Sequence, residues 1–183
     1  MKAKIRFLVL DVDGTLTDGK IYMAESGELF KTFDIKDGYG ICNILPELNI
    51  EPLIITGRQS EILIRRCEEL NITEVHQGVH DKIYLLRKLI FEKSKADNEK
   101  YTFENVAYCG DDLNDLSCMI EVKKNGGVVG CPRNAVREIK ETADFVANNK
   151  GGNGAVREFI DFLRYNDRLV ENEKYSKDRS KSI

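Results

Sequence analysis

The sequence predicts an α/β protein: a doubly wound, mostly parallel sheet carrying one small β-hairpin insertion. Three observations predict it. Apolar runs at residues 5–10, 52–56 and 106–109 are continuous rather than alternating and rich in branched side chains, as strands buried on both faces are. Helical stretches with apolar stripes follow them, so strand, polar loop and helix recur along the chain. Asp11, Thr56 and Asp111 each stand just past one of these runs, at the sheet edge where open α/β folds place their ligands.

Residues 5–10 make the first strand; the run is too short for the apolar part of a leader and leads straight into Asp11. Residues 20–23 and 29–33 are β-type runs joined through Glu25-Ser26-Gly27-Glu28, a hairpin signal. Asp37 is expected to cap a short helix over 38–45, interrupted at Pro46 because proline lacks a backbone donor. A strand over 52–56 and a helix over 59–70 follow, the latter with Ile62, Ile64, Cys67 and Leu70 between charges. Residues 74–77 form a brief strand and 81–93 a helix burying Ile83, Leu85, Leu86, Leu89 and Ile90, before a polar linker over 94–100. After the strand at 106–109, Asp112 and Asp115 fall in the first turn of a helix, where its dipole favours negative charge. A strand at 126–130, a helix at 134–140, a last strand at 144–147, a flexible loop at 148–154 and a final helix at 155–165 complete a folded domain over 1–165. Residues 166–183 are charged, Ser-containing and poor in apolar side chains, a tail expected to be disordered.

At 183 residues and 42% hydrophobic, the chain has enough apolar material for one domain with a substantial core. A net charge of −3 with both signs intermingled offers no basic face for nucleic acid, and no apolar run is long enough to span a membrane. Neither partner is expected. The five cysteines, Cys42, Cys67, Cys109, Cys118 and Cys131, are odd in number and lack C-x-x-C spacing, so reduced thiols in a cytoplasmic protein are expected. His76 and His80 have the spacing of helical metal ligands, but Gln77-Gly78 between them favours a loop or a strand end.

The chemistry centres on Asp11-Val12-Asp13-Gly14-Thr15. Two carboxylates ~4 Å apart repel by roughly 4 kcal/mol at an effective dielectric of about 20. A hard divalent cation such as Mg²⁺ would relieve that, and Gly14 would let backbone N–H groups approach an anion. Taken singly, D-x-D-G is also a common solvated turn, Thr56-Gly57 a common turn and Asp111-Asp112 a common helix start. Their order, Asp-x-Asp-Gly-Thr, Thr-Gly, Lys, Gly-Asp-Asp-x-x-Asp, resembles the haloacid dehalogenase superfamily of phosphohydrolases.

That resemblance implies a role for each residue. Asp11 would attack phosphorus to give an aspartyl-phosphate, and Asp13 would act as general acid and then base. Mg²⁺ would rest on the Asp11 carboxylate, the Asp13 carbonyl and Asp111, with Asp112 and Asp115 orienting the surrounding groups. Thr56 would donate to a phosphoryl oxygen, and Lys82 would neutralise both the phosphate and Asp11. Taken alone, Lys82 reads equally as a surface lysine at a helix start.

Only about thirty residues separate the Asp13 loop from Thr56, too few for the separate cap domain that larger members carry. Thr17-Asp18-Gly19, Asp37-Gly38-Tyr39-Gly40-Ile41, Ile54-Ile55-Thr56-Gly57-Arg58 and Gly151-Gly152-Asn153-Gly154-Ala155-Val156-Arg157-Glu158 resemble the 3-deoxy-D-manno-octulosonate 8-phosphate phosphatases of the capless subclass. The resemblance implies a Rossmann-like fold, a phosphorylated sugar acid as substrate in lipopolysaccharide synthesis, and a cytoplasmic homotetramer in which a neighbour helps close the site. Gly14, Arg58 and Arg157 are the substrate-binding candidates, arginine being shaped for carboxylates; Arg157 reads equally as a helix-surface ion pair. The chain departs from the pattern at 91–101, at Asn153 and in its extended tail. Arg58, where nine-carbon acid 9-phosphate phosphatases are expected to have Glu, favours the eight-carbon substrate. A non-catalytic oligomerisation module is the other alternative, opposed by the intact acidic motifs. A response-regulator receiver is excluded by the lack of an Asp in Val75-His76-Gln77-Gly78.

Overall fold

The computed structural model describes residues 4–166; apart from Asn166, the tail lies outside the described residues. The chain runs β1 (Phe7–Leu10), β2 (Tyr22–Ala24), β3 (Gly27–Phe30), α1 (Ile35–Tyr39), a π-helical turn (Gly40–Ile44), α2 (Leu45–Glu47), β4 (Glu51–Ile55) and α3 (Glu61–Glu69). It continues through β5 (Glu74–His76), α4 (Lys82–Ala96), β6 (Val106–Cys109), α5 (Leu113–Lys124), β7 (Val128–Cys131), α6 (Arg137–Thr142), β8 (Phe145–Val146) and α7 (Ala155–Arg164).

Six strands form one parallel sheet in the order β5-β4-β1-β6-β7-β8. The chain builds outward from β1 through β4 to β5, then crosses back to place β6 on the other side of β1. That reversal is the switch point at which such sheets open a crevice. Alternation along each strand divides the core between two faces. Leu8, Leu10, Ile54, Ala107 and Cys109 pack against Ile41, Ile44 and Leu45 of the first helical segment, Leu63 and Cys67 of α3, and Val156, Phe159, Ile160 and Leu163 of α7. Phe7, Val9, Leu53, Ile55, Val106 and Tyr108 pack instead on Leu86, Leu89 and Ile90 of α4, Cys118, Met119 and Val122 of α5, and Ile139 of α6. Continuous apolar strands are required because both faces are covered. Leu8, Val9 and Leu10 have no solvent exposure, and each such side chain contributes about 1.5–3 kcal/mol of burial.

Several elements differ from the sequence expectation for identifiable reasons. The hairpin turn is only Glu25-Ser26, because Gly27 pairs with Ala24 inside the ladder, and the Tyr22 and Phe30 rings stack at 4.3 Å. The helix expected to begin at Gly38 begins at Ile35, with Asp34 as N-cap accepting from the Lys36 N–H at 2.6 Å. It is not interrupted at Pro46. The helical run passes through a π turn that ends at Ile44 and on into α2, which carries Pro46 in its first turn. Helix α4 continues to Ala96 through half of the expected linker. His76 ends β5 and pairs with Glu74 at 3.1 Å, while His80 lies exposed in the next loop.

Asp37 caps a helix, but not its own. It is 2% exposed inside α1. Its Oδ1 accepts from the Arg157 N–H at 2.7 Å, in the first turn of α7, whose own N-cap Gly154 has no side chain to offer. Oδ2 is buried with no partner. Burial, reinforced by Asp34, pushes the carboxyl up to about 6, outweighing the helix N–H groups and Arg157. The folded state therefore holds this proton more tightly than the unfolded chain, and Asp37's contribution to stability declines as pH rises from about 4 to about 6. Asp37→Asn keeps the acceptor and removes the titration, so the stability difference between variant and parent is expected to grow over that window and level off above it. Urea denaturation across pH checks this; a difference independent of pH would refute it.

Candidate active site

The carboxyl ends of β4, β1 and β6 are adjacent and carry Thr56, Asp11 and Asp111 respectively. The Asp11 carboxylate is buried, its Oδ1 accepting from Lys82 Nζ at 2.7 Å. Lys82 is the first residue of α4 behind the N-cap Asp81, and its stem is fully buried. Its Nζ lies 2.7 Å from Asp115 Oδ1 as well. Burial works to lower the lysine's pKa, yet Asp11 and Asp115 together raise it above the ordinary value, so it remains charged.

Asp115 is a strut. Besides Lys82, its Oδ1 accepts from the Tyr108 hydroxyl at 2.7 Å, and its Oδ2 accepts from the N–H groups of Asp111 at 3.1 Å and Asp112 at 3.4 Å. Asp112 is the exposed N-cap of α5, spent on the Leu113 N–H at 2.7 Å. Asp111 takes the Thr15 hydroxyl at 3.0 Å on one oxygen. Asp11, Asp111 and Asp115 each present an oxygen within 4.8 Å of the others. Burial and then Asp11's charge push Asp111 up to about 7; burial and Asp115 push Asp11 up to about 6 against the pull of Lys82. Three carboxylates against one lysine leave two negative charges, the complement of a divalent cation with oxygen preference. With both Asp115 oxygens engaged, Asp11 and Asp111 are the carboxylates open to such an ion.

Asp13 sits on the turn beyond β1 and is met from outside the sheet. Lys31, just past β3, forms an ion pair with it, and Arg58 Nε lies 3.8 Å away. Gly14 has φ +98°, and a Cβ there would fall 2.0 Å from Asp111 Oδ2. Thr56 is 2% exposed, its backbone fixed by His76 O and Val79 N, both at 3.0 Å. Arg157 is turned to other partners: its Nε pairs with Asp161 at 2.9 Å and its guanidinium lies over the Tyr39 ring.

The loop at 148–154 is fastened rather than loose. Asn148 N–H donates to Glu158 at 2.6 Å, Gly151 N–H to Asn134 Oδ1 at 2.9 Å and Gly152 N–H to Thr15 O at 3.2 Å. It lies directly on the aspartate turn, so a Cβ at Gly151 would be 1.8 Å from Gly14 O. None of the thiols belongs to the site's chemistry: burial pushes Cys67 and Cys131 up to about 11 and Cys118 up to about 12, as inert core cysteines.

Lys31, Tyr108, Glu28, which pairs with Lys31 at 3.1 Å, and Ser60, whose hydroxyl donates to Glu28, are parts of this arrangement that the sequence reading did not single out. Only Tyr108 carried a signal, since a phenol in the middle of a fully buried strand must find a partner.

No model of a known protein family matches the chain. Curated relatives do. It is 42% identical over 159 residues to the 3-deoxy-D-manno-octulosonate 8-phosphate phosphatase KdsC of Salmonella typhi, spanning 87% of this chain and 79% of that protein. The chain belongs to the 3-deoxy-D-manno-octulosonate 8-phosphate phosphatase family. Solved structures agree. The family's Yersinia pestis phosphatase superposes with a TM-score of 0.77 at 39% identity, covering 90% of this chain and 84% of that one. The Moraxella catarrhalis phosphatase, solved with a magnesium ion, a phosphate ion and a KDO molecule, gives 0.75 at 35% identity, covering 86% and 84%. A putative subfamily III A hydrolase from Legionella pneumophila, at 35% identity and a TM-score of 0.74, places the family in the haloacid dehalogenase superfamily.

The contact between Gly151 and the aspartate turn is testable. Gly151→Ala is expected to destabilise the protein by about 1–3 kcal/mol through overpacking. Gly57→Ala, with its nearest neighbour Val79 O at 3.8 Å, is expected to cost much less. Equal denaturation midpoints for the two variants would show that the loop can lift away without cost.

Proposed function

We propose that this chain hydrolyses 3-deoxy-D-manno-octulosonate 8-phosphate to the free sugar acid and phosphate through an aspartyl-phosphate on Asp11. The observation that carries this is the buried Asp11 carboxylate, fixed through one oxygen by Lys82 with the Asp11–Asp111 pair beside it. Membership of the phosphatase family supports the substrate.

The bond from Asp11 to phosphorus forms as that to the sugar oxygen breaks. Asp13, two residues further on, gives the leaving oxygen its proton and then takes one from the water that attacks the aspartyl-phosphate. Lys82 offsets charge on Asp11 and the phosphoryl group, and the Thr56 hydroxyl donates to a phosphoryl oxygen. Asp11, the Asp13 carbonyl and Asp111 would hold Mg²⁺, which supplies positive charge to the phosphoryl oxygens. Gly14 lets the backbone come close to the phosphate, and Arg58 stands on the side of the leaving group. Asp115 orients this set through the bonds described above, and Asp112 contributes through its N–H to Asp115 and its cap on α5.

Ile21, Met23, Leu29 and Phe30 of the hairpin are exposed, an apolar surface that supports assembly into a homo-oligomer, a tetramer in our reading, with a neighbour covering the open site. The five unpaired thiols suit a reducing compartment, the cytoplasm.

Phosphate release from the eight-carbon and nine-carbon acid phosphates, measured side by side with Mg²⁺ and with chelator, tests the reading. Selective turnover of the eight-carbon acid is expected, falling by at least about 10³-fold in Asp11→Asn, as loss of a nucleophile should. Preference for the nine-carbon acid would overturn the substrate, and turnover surviving in Asp11→Asn would overturn the mechanism.

A further inference from the structure

Two cations beside the site share their partners: Lys31, at the end of the hairpin, and Arg58, on the loop after β4. Lys31 Nζ pairs with Asp13 Oδ1 and, at 3.1 Å, with Glu28 Oε1. Arg58 reaches the other Asp13 oxygen at 3.8 Å and the same Glu28 Oε1 at 3.4 Å. The Ser60 hydroxyl donates to Glu28 Oε2, tying the hairpin to the start of α3. A single carboxylate oxygen is thus bound by both cations at once.

Lys31 deserves the comparison with Lys82, since both are buried lysines on catalytic aspartates: the Lys31 side chain is only 4% exposed. A lysine taken from water needs compensating charge, and a surface ion pair would not need to be drawn inward. Its place differs from that of Lys82 in the way that matters for a phosphoester. Lys82 stands on Asp11, the phosphorus side, while Lys31 stands on Asp13, which serves the leaving oxygen. A cation there faces the alcohol half of the ester, beside Arg58.

We infer that Lys31, at the end of the hairpin and sharing its partners with Arg58, is a specificity residue that binds the carboxylate of the leaving sugar acid, in the manner in which both cations already bind Glu28. The inference rests on the acid-phosphate reading given above. Glu28 is then the internal carboxylate against which the substrate competes, and the end of the hairpin, together with Arg58 at the sheet edge, reads the alcohol.

The test compares matched substrates that differ only in the acidic group, 6-phosphogluconate and glucitol 6-phosphate, alongside the eight-carbon acid phosphate. Lys31→Met and Lys31→Gln are expected to lower the ratio of kcat/KM for acid over neutral ester at least tenfold, chiefly through KM. Lys31→Arg is expected to restore most of that ratio. Inhibition by the free eight-carbon acid, which carries no phosphate, should weaken by a similar factor in the first two variants. Equal losses on both members of the matched pair, or an unchanged inhibition constant in a variant with parental unfolding behaviour, would overturn the assignment of Lys31. The parent enzyme's turnover of the eight-carbon acid phosphate judges the substrate reading separately, because the matched pair measures carboxylate recognition whatever the natural acid is.

Discussion

The ion pair of Lys82 with Asp11 and Asp115 is the interaction on which the arrangement depends. All three groups are buried, and leaving one of them unpaired would cost about 3–5 kcal/mol. The strand end, the start of α4 and the first turn of α5 must therefore meet at one point. Asp81 sets the first turn of α4, which delivers Lys82 to the sheet edge. Tyr108 reaches from β6 to the same Asp115 oxygen, and the other oxygen binds the N–H groups that begin α5. Position and orientation of the Asp11 carboxylate are consequently fixed before any ligand arrives, which is the condition for an in-line attack to gain from proximity.

The same cluster is overcharged, and this governs what it can bind. Carboxylates at Asp11, Asp111 and Asp115 face a single ammonium group, and burial raises Asp11 and Asp111 to about 6 and 7. A phosphate ester dianion brought against such a cluster meets repulsion of roughly 4 kcal/mol for each close pair of like charges. A divalent cation reverses the sign of that interaction, so cation and ester favour one another's binding, and by linkage each does so to the same extent.

The sheet and its acidic edge were legible in the sequence because both follow from strong local constraints. A strand covered on two faces must be continuously apolar, and the residues that end it abruptly are the ones that work. Asp11, Thr56 and Asp111 could be placed at one edge by that logic alone. What could not be read was contact set by distant packing. Asp37 has the composition of a local cap but faces α7, 120 residues away, because Gly154 there has no capping side chain. The π turn at Gly40–Ile44 carries Ile41 and Ile44 into the core with no local mark in the sequence. Gly151-Gly152 reads as a flexible linker, since nothing local shows that the backbone of the aspartate turn lies within van der Waals reach. Lys31 escaped for the same reason: on a short exposed hairpin a lysine is ordinary, and only the fold over Asp13 makes it buried.

In the mechanism proposed above, phosphoryl transfer and leaving-group recognition fall to different parts of the molecule. Asp11, Thr56, Lys82, Asp111 and Asp115 stand on the central strands and on helices packed against them, where displacement of one group exposes another buried charge. Glu28 on the two-stranded ribbon and Lys31 just past it join the sheet edge through ion pairs with Arg58 and Asp13 and through Ser60. A two-stranded ribbon is marginal by itself, so its position is set by those polar contacts and by whatever packs on Ile21, Met23, Leu29 and Phe30. Substitutions on the ribbon leave Lys82 paired and reach the site only through Asp13, which Lys31 contacts, whereas changes at the sheet edge unpair buried charge.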